Sequence, residues 1–236
     1  PRNPRTSKSN LWRIAKRPCG ALGLSKRIMF HVKQLDTLRA CKQLAAEHST
    51  ALNHYADRLL WWNDKVNLVS RDVSRETIMS HIEHSLTLNT WLSPISHWVD
   101  AGTGGGLPGI PLAIVNPGLS FTLNDIVQKK CTVLKSIVRE LDLPNVIVQE
   151  GSIEDVQLDH KTGICTKHAF KIPQLLDLID GQSSQPGAIL WLKGFEEAIQ
   201  DIESQSDQAS FEILSLDSGE DPFYQGKAIV RWTPRK

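Results

Sequence analysis

Apolar residues recur at helical intervals through the first third of the chain. Leu35, Leu38, Cys41 or Lys42 and Ala45 are three or four apart, and Leu52, Tyr55, Ala56, Leu59, Leu60 and Trp62 repeat the pattern. Ser49 or Thr50 offers a hydroxyl where the second run needs a cap. A third run, roughly Ser74 to Leu92, carries Ile78, Ile82, Ser85, Leu86 and Leu88 and stops before Ser93-Pro94. These runs predict an N-terminal helical subdomain over residues 31–95, with Trp61 and Trp62, beside Leu59 and Leu60, packed in its core.

From Trp98 the texture alternates. Short apolar runs at His97–Ala101, Phe121–Asp125, Asn145–Gln149, Thr162–Lys167 and Ala188–Lys193 read as strands. Helical runs lie between or after them, from about Gln128 to Leu141, over Ile172–Asp180, and from Glu196 to about Glu203. Such alternation predicts a mainly parallel sheet covered on both faces. The last two runs, Phe211–Leu216 and Lys227–Trp232, have only a loop between them. A parallel crossover needs a dozen or more residues and usually a helix, so the final strand is expected to be antiparallel. Residues 96–236 are therefore read as a Rossmann-like α/β domain with a seven-stranded, mostly parallel sheet and an antiparallel last strand.

Composition narrows the classes. The chain has 236 residues, 40% hydrophobic and 22% charged, and no apolar run approaches the ~20 residues of a membrane span. Cys19, Cys41, Cys131 and Cys165 form no CxxC pair, which suggests neither a zinc site nor a redox dithiol and fits a cytoplasmic protein. The net charge of +1 hides an asymmetry. Residues 1–30 hold eight of the 27 basic residues and no acidic one, leaving 19 against 26, or about −7, for the remainder. This basic head has no apolar h-region and no helical or strand period. It reads as an extension without structure, with Met29 as the natural start; a transit-like segment or an RNA-binding arm is the alternative. An acidic body is not a general nucleic-acid binder and needs a local basic patch or a larger assembly to engage RNA.

The candidate chemistry follows the first strand of the alternating region, in Val99-Asp100-Ala101-Gly102-Thr103-Gly104-Gly105-Gly106-Leu107-Pro108-Gly109. Ligands of such sheets bind at the carboxyl ends of strands, and five glycines in eight positions let a ligand approach bare backbone. Two cofactors compete for the loop. Gly104-Gly105-Gly106-Leu107-Pro108-Gly109 formally satisfies the dinucleotide string GxGxxG, yet Pro108 removes an amide that a phosphate would use. Asp100-x-Gly102-x-Gly104-x-Gly106 instead suits S-adenosylmethionine. The carboxylate can meet the methionine ammonium, the glycines leave room for the sugar, and Asp125 at the next strand end can accept from the ribose hydroxyls. A structural glycine turn with two surface acids is the plain alternative.

The run Gly102-Thr103-Gly104-Gly105-Gly106-Leu107-Pro108-Gly109-Ile110-Pro111-Leu112-Ala113-Ile114 closely resembles the signature of the RsmG (GidB) family, bacterial enzymes that methylate N7 of a guanosine in 16S ribosomal RNA. Other pieces agree and keep their order over roughly residues 50–200. Trp62-Asn63 with Val66-Asn67-Leu68-Val69-Ser70-Arg71 resembles the family's N-terminal element, and His81-Ile82-x-His84-Ser85-Leu86 its H-x-x-D-S-L element, with His84 where Asp is usual. Asp125 followed by Lys129-Lys130 is similar to its second-strand motif, with Ile126 in place of Ser, and Leu192-Lys193-Gly194 to its late L-K-G element. Ser152 stands where the family shows arginine, and Thr166-Lys167-His168 replaces Ser-Arg-Ala. Lysine keeps the charge of arginine but loses its planar fork.

The resemblance implies a class I S-adenosylmethionine-dependent methyltransferase. It assigns Asp100, Gly102, Thr103, Gly104, Gly106, Leu107, Pro108, Asp125, Ile153 and Glu154 to the cofactor. To the RNA it assigns Asn67, Ser70, Arg71, His81, Lys167 and Lys193, of which Arg71, His81, Lys167 and Lys193 are positioning candidates. Guanine N7 carries a free lone pair, so neither a general base nor a metal is expected. The implied partner is 16S rRNA in the small ribosomal subunit, and the protein is expected to be a cytoplasmic monomer. Two rivals share the fold: a nicotinamide-dependent oxidoreductase, and a non-catalytic cofactor-binding relative that docks on the ribosome.

Overall fold

The computed structural model describes residues 28–31, 34–205 and 209–234. Eight strands form one sheet: β1 (Ile28–His31), β2 (His97–Ala101), β3 (Ser120–Asp125), β4 (Val146–Glu150), β5 (Thr162–Lys167), β6 (Ala188–Gly194), β7 (Ala209–Ser215) and β8 (Lys227–Pro234). Across the sheet they run β1-β7-β8-β6-β5-β2-β3-β4. Every pairing is parallel except those of β8, which is antiparallel to β6 and to β7. The short β7–β8 connection thus reverses the chain as its length requires. The order turns back at β2, which lies between β3 and β5, so the loop after β2 opens at the switch point.

Among the described residues seven α-helices cover the sheet: α1 (Gln34–Glu47), α2 (Ser49–Asn63), α3 (Arg75–Leu86), α4 (Gly109–Val115), α5 (Gln128–Glu140), α6 (Ile172–Asp180) and α7 (Phe195–Glu203). Strand alternation divides the core in two. Trp98, Leu190, Leu192 and Ile229 point to the face shared with Leu38, Leu52, Leu59, Ile78, Leu112 and Leu134. Their chain neighbours Val99, Ile189, Trp191 and Val230 point to the opposite face, with Ile172, Leu175 and Ile202. Helices α1 to α3 are thus joined to the sheet by a shared core. Their apolar stripes belong to the same core as the sheet, beside an α4 of only seven residues.

Three local expectations change. Ile28, Met29 and Phe30, read as part of a structureless extension, form β1 with His31, in register from Ile28↔Phe211 to His31↔Leu214. Four residues are too few to show a period, and the partner edge on β7 is remote in sequence. Residues 1–27 lie outside the described residues. Helix α2 is preceded by His48, which makes no side-chain cap, and Ser49 is already helical. Trp61 is 45% exposed, because it falls off the stripe Leu52, Tyr55, Ala56, Leu59 and Asn63, and the cations of Lys65 and Arg58 lie 3.5 Å and 4.6 Å from its rings. Among the described residues no helix is long and apolar enough to cross a membrane.

Candidate active site

Strand β2 carries Asp100, whose side chain is wholly buried. Its Oδ2 accepts from Thr103 Oγ1 (2.6 Å) and from the Gly109 N–H (2.8 Å), which folds the loop back on the strand. Oδ1 is equally buried and has no donor among the described residues. Burial pushes the Asp100 carboxyl up to about 7, with the two donors opposing the rise. Asp125 ties the loop to the next strand: Oδ2 accepts from the Gly104 N–H and Oδ1 from the Val127 N–H, both at 2.9 Å. Two glycines are required by space. A Cβ on Gly109 would lie 2.3 Å from Leu123 Cδ2, and one on Gly102, at φ +66°, would lie 2.6 Å from the Ala169 Cβ.

The loop discriminates between the two cofactors. Pro108 has no N–H, the Gly109 N–H is taken by Asp100, and the Ile110 N–H by the Gly106 carbonyl at 2.8 Å. The start of α4 therefore presents no row of free amides to a pyrophosphate. Asp100 Oδ1 is left without a donor among the described residues, an acceptor whose natural complement is a cationic N–H group. Each Asp125 oxygen accepts one hydrogen bond and keeps a further lone pair, and Ile126 beside it is 75% exposed.

A second layer fixes the loop from the helical side. The buried Tyr55 hydroxyl donates to the Gly105 carbonyl at 2.9 Å. Asn63 Oδ1 accepts from the N–H groups of Leu68 and Val69, both at 2.9 Å, and its Nδ2 donates to the Ser70 carbonyl at 3.1 Å. The segment after α2 is thus wound around Asn63 and laid on the glycine loop, with the Leu68 carbonyl 3.5 Å from where a Cβ on Gly104 would stand. Asn67, Ser70 and Arg71 are exposed along it. Asn63 belongs to the tryptophan–asparagine element seen in the sequence; Tyr55 carried no signal beyond its helical spacing.

Beside the loop lies a pocket of histidines. Thr166 Oγ1 donates to the Ala101 carbonyl at 2.8 Å, joining the end of β5 to the end of β2. The next residue, Lys167, brings its Nζ within 3.1 Å of His81 Nδ1 on α3. His84, one turn along α3, is fully buried, with the rings of Tyr224, Phe223 and His168 centred 5.9, 6.0 and 6.3 Å away, and neither ring nitrogen has a hydrogen-bond partner. Burial, reinforced by the nearby Lys167, holds His81 and His168 down to about 4 and His84 well below the usual imidazole range. Burial also lowers Lys167 to about 8, against the pull of Asp100. Three neutral imidazoles thus surround one ammonium, and three of the sequence departures, His84, Lys167 and His168, meet in one place.

Other expected residues lie elsewhere. Lys193 is buried on the opposite face of the sheet, where its Nζ meets Glu197 Oε1 at 2.9 Å and Asp201 Oδ2 at 3.0 Å. Asp201 Oδ2 also accepts from the Ile172 N–H at 3.0 Å, so Lys193 clamps α6 and α7 to β6, away from the His81–Lys167 pair. One step along a strand reverses the side, and Leu192, not Lys193, points toward the helical layer. The Ile153 side chain is packed in the core, leaving only its backbone for a ligand, while Glu154 is exposed and bonded by Ser152 Oγ at 2.9 Å. Leu107 likewise packs in the core beneath the loop. Among the described residues no group of three His, Cys, Asp or Glu side chains could hold a metal.

A sheet with one antiparallel strand beside the edge of a parallel set, an acid and glycines after β2 and a second acid after β3, defines a class I S-adenosylmethionine-dependent methyltransferase. The O-methyltransferase from Bacillus cereus, solved in complex with SAH, shares this fold with a TM-score of 0.52 at 17% identity, over 77% of this chain and 90% of that one. Residues 48–220 match the GidB family, rRNA small subunit methyltransferase G. The ribosomal RNA small subunit methyltransferase G of Chlorobaculum tepidum is 35% identical over 193 residues, covering 78% of this chain and 89% of the relative. That of Chlorobium limicola is 30% identical over 214 residues, covering 85% and 97%. The chain belongs to the rRNA small subunit methyltransferase G family.

Proposed function

We propose that the protein transfers a methyl group from S-adenosylmethionine to N7 of a guanine in the 16S rRNA of the small ribosomal subunit. The observation that carries this reading is the placement of an underbonded, buried Asp100 in a glycine loop, directly against an exposed arginine-bearing segment and the His81–Lys167 pair. The cofactor supplies a methyl carbon made electrophilic by its sulfonium. Asp100 would hold the ammonium end and Asp125 the ribose. Guanine N7 needs no proton removed, so the chain's part is to orient the base, exclude water and match charge. Arg71, Ser70 and Asn67 would take phosphate or sugar contacts, and His81, held by Lys167, the base itself. Because the body is acidic, the reading favours an assembled subunit over free RNA as substrate.

The test is transfer of labelled methyl from S-adenosylmethionine to small subunits lacking the modification, with Asp100→Ala as control. Label recovered as N7-methylguanine, and lost in the control, is the expected result. Measurable S-adenosylhomocysteine binding without any transfer to subunits or to protein-free 16S RNA would sink it.

A further inference from the structure

We infer that His81 is the residue that selects guanine, by presenting a fixed, neutral Nε2–H donor to guanine O6, and that Lys167 is the positioning residue that fixes this tautomer. The inference rests on the guanine-N7 reading above and adds to it a contact, a proton location and a specificity.

The argument starts from the 3.1 Å approach of Lys167 Nζ to His81 Nδ1. An ammonium has three donors and no acceptor, so Nδ1 must offer its lone pair. A neutral ring accepting at Nδ1 carries its single proton on Nε2. That nitrogen makes no hydrogen bond among the described residues, and His81 is only partly buried, so Nε2 is left to donate to a ligand. Phe223, edge-on with its ring centre 5.5 Å from that of His81, limits rotation of the ring. The donor is therefore set in both identity and direction before RNA arrives.

The reacting edge of guanine shows what such a donor reads. It presents two acceptors, N7 and O6, where adenine presents N7 and the N6 amino donor. N7 must stay free, because its lone pair forms the bond to the methyl carbon. As that bond forms, the carbon–sulfur bond breaks with its electron pair passing to sulfur, and one positive charge moves to the guanine with no proton transferred. O6 is then the acceptor left to bind. A neutral N–H at O6 holds the base without placing a full positive charge beside a ring that is becoming cationic, as a lysine or arginine there would. Facing adenine, the same N–H would meet an N–H, so the tautomer itself discriminates.

The surroundings favour this state from every side. His81 faces Lys167 and His168 at the end of β5 and Lys227 on β8, with His84 on its own helix; Asp100 at the end of β2 and Lys227 face Lys167. The cationic and burial effects keep the His81 ring neutral above about 4, and Lys167 stays charged below about 8. Between these limits the tautomer is locked. Above the upper limit Lys167 becomes an amine that can also accept, and the lock is released.

The experiment has two arms. Nitrogen-15 spectra of histidine-labelled, RNA-free protein with S-adenosylhomocysteine bound are recorded inside that pH window, for the wild type and for Lys167→Met. The expected result is an unprotonated Nδ1 and a protonated Nε2 on His81, giving way to a mixture of tautomers in the variant, with cofactor affinity showing that both are folded. In the second arm methyl transfer to unmodified small subunits is measured. His81→Leu should lower kcat/KM about 10- to 100-fold, whereas His81→Gln, which keeps an N–H at similar reach, should retain most of it. Lys167→Met should lower the preference for guanine over an adenine placed at the target position. A wild type that methylates subunits but carries its proton on Nδ1, or a tautomer unmoved in Lys167→Met, or full activity in His81→Leu, overturns the proposal alone. No methyl transfer by the wild type, whatever the spectra show, overturns the guanine reading and this contact with it.

Discussion

The glycine loop and the histidine pocket share one edge of the sheet and are built in opposite ways. In the loop the ties to its two acids join residues of one short stretch or of the next strand, Asp100 to Thr103 and Gly109 and Asp125 to Gly104 and Val127, and Tyr55 adds one from the helical side. In the pocket the groups come from α3, from the end of β5 and from the segment before β8, and the imidazole at its centre, His84, has no hydrogen-bond partner at all. Short-range geometry makes the loop stiff. The pocket is held in its protonation state by exclusion of water and by cationic neighbours, which makes it sensitive to single changes of charge. A cofactor common to many enzymes can be met by the first kind of structure, while a particular base needs the second.

Changes on each side should separate the two. The largest effect is expected from Lys193→Met, which leaves the buried Asp201 without its cation, while the half-exposed Glu197 can turn to solvent. It should cost about 3 to 5 kcal/mol in urea unfolding while the folded fraction binds S-adenosylhomocysteine normally. Unchanged stability with lost RNA methylation would put Lys193 back on the pocket side. Next, Asp100→Asn should weaken S-adenosylhomocysteine binding about 10- to 100-fold by removing a charged acceptor. In the wild type the ionised carboxylate is the form that receives the ammonium. Affinity, measured by calorimetry, should therefore rise with pH up to about 7 and level off above it, and this dependence should vanish in Asp100→Asn. A smaller loss, about 1 to 2 kcal/mol of stability, is expected for Tyr55→Phe, which leaves the Gly105 carbonyl without its donor. Smallest is Arg71→Ala, an exposed residue, which should weaken subunit binding a few-fold and lower the slope of log K against log salt by about one, with cofactor affinity untouched.

The same contrast decides what could be read from the sequence. The loop was legible because acid, glycines and second acid fall at fixed positions relative to two strands, and the antiparallel β8 because a connection without a helix cannot cross over. The pocket was legible only in its members. His81 and Lys167 came from the family pattern, but nothing in a linear sequence says that positions 84, 168 and 223 meet, or that burial removes the charge from three histidines. Lys193 failed on parity, since the same motif with the side chain one position over would face the other side of the sheet. Residues 31–95 read as a unit because their helices are contiguous, yet their apolar stripes share one buried cluster with the following sheet and its helices. Strand β1 escaped notice because its pairing with β7 spans almost the whole chain.

Asn63 gives one of these contacts a wider meaning. By winding the segment around its side chain and laying Leu68 against Gly104, it makes the arginine-bearing surface and the cofactor cradle parts of one mechanical piece. Ligands on such a piece obey reciprocity: if the bound subunit strengthens the hold on cofactor by some factor, a loaded cofactor strengthens the hold on the subunit by the same factor. Loosening the turn around Asn63 should therefore weaken both affinities' effect on each other together, a rule that binds equilibria and not rates.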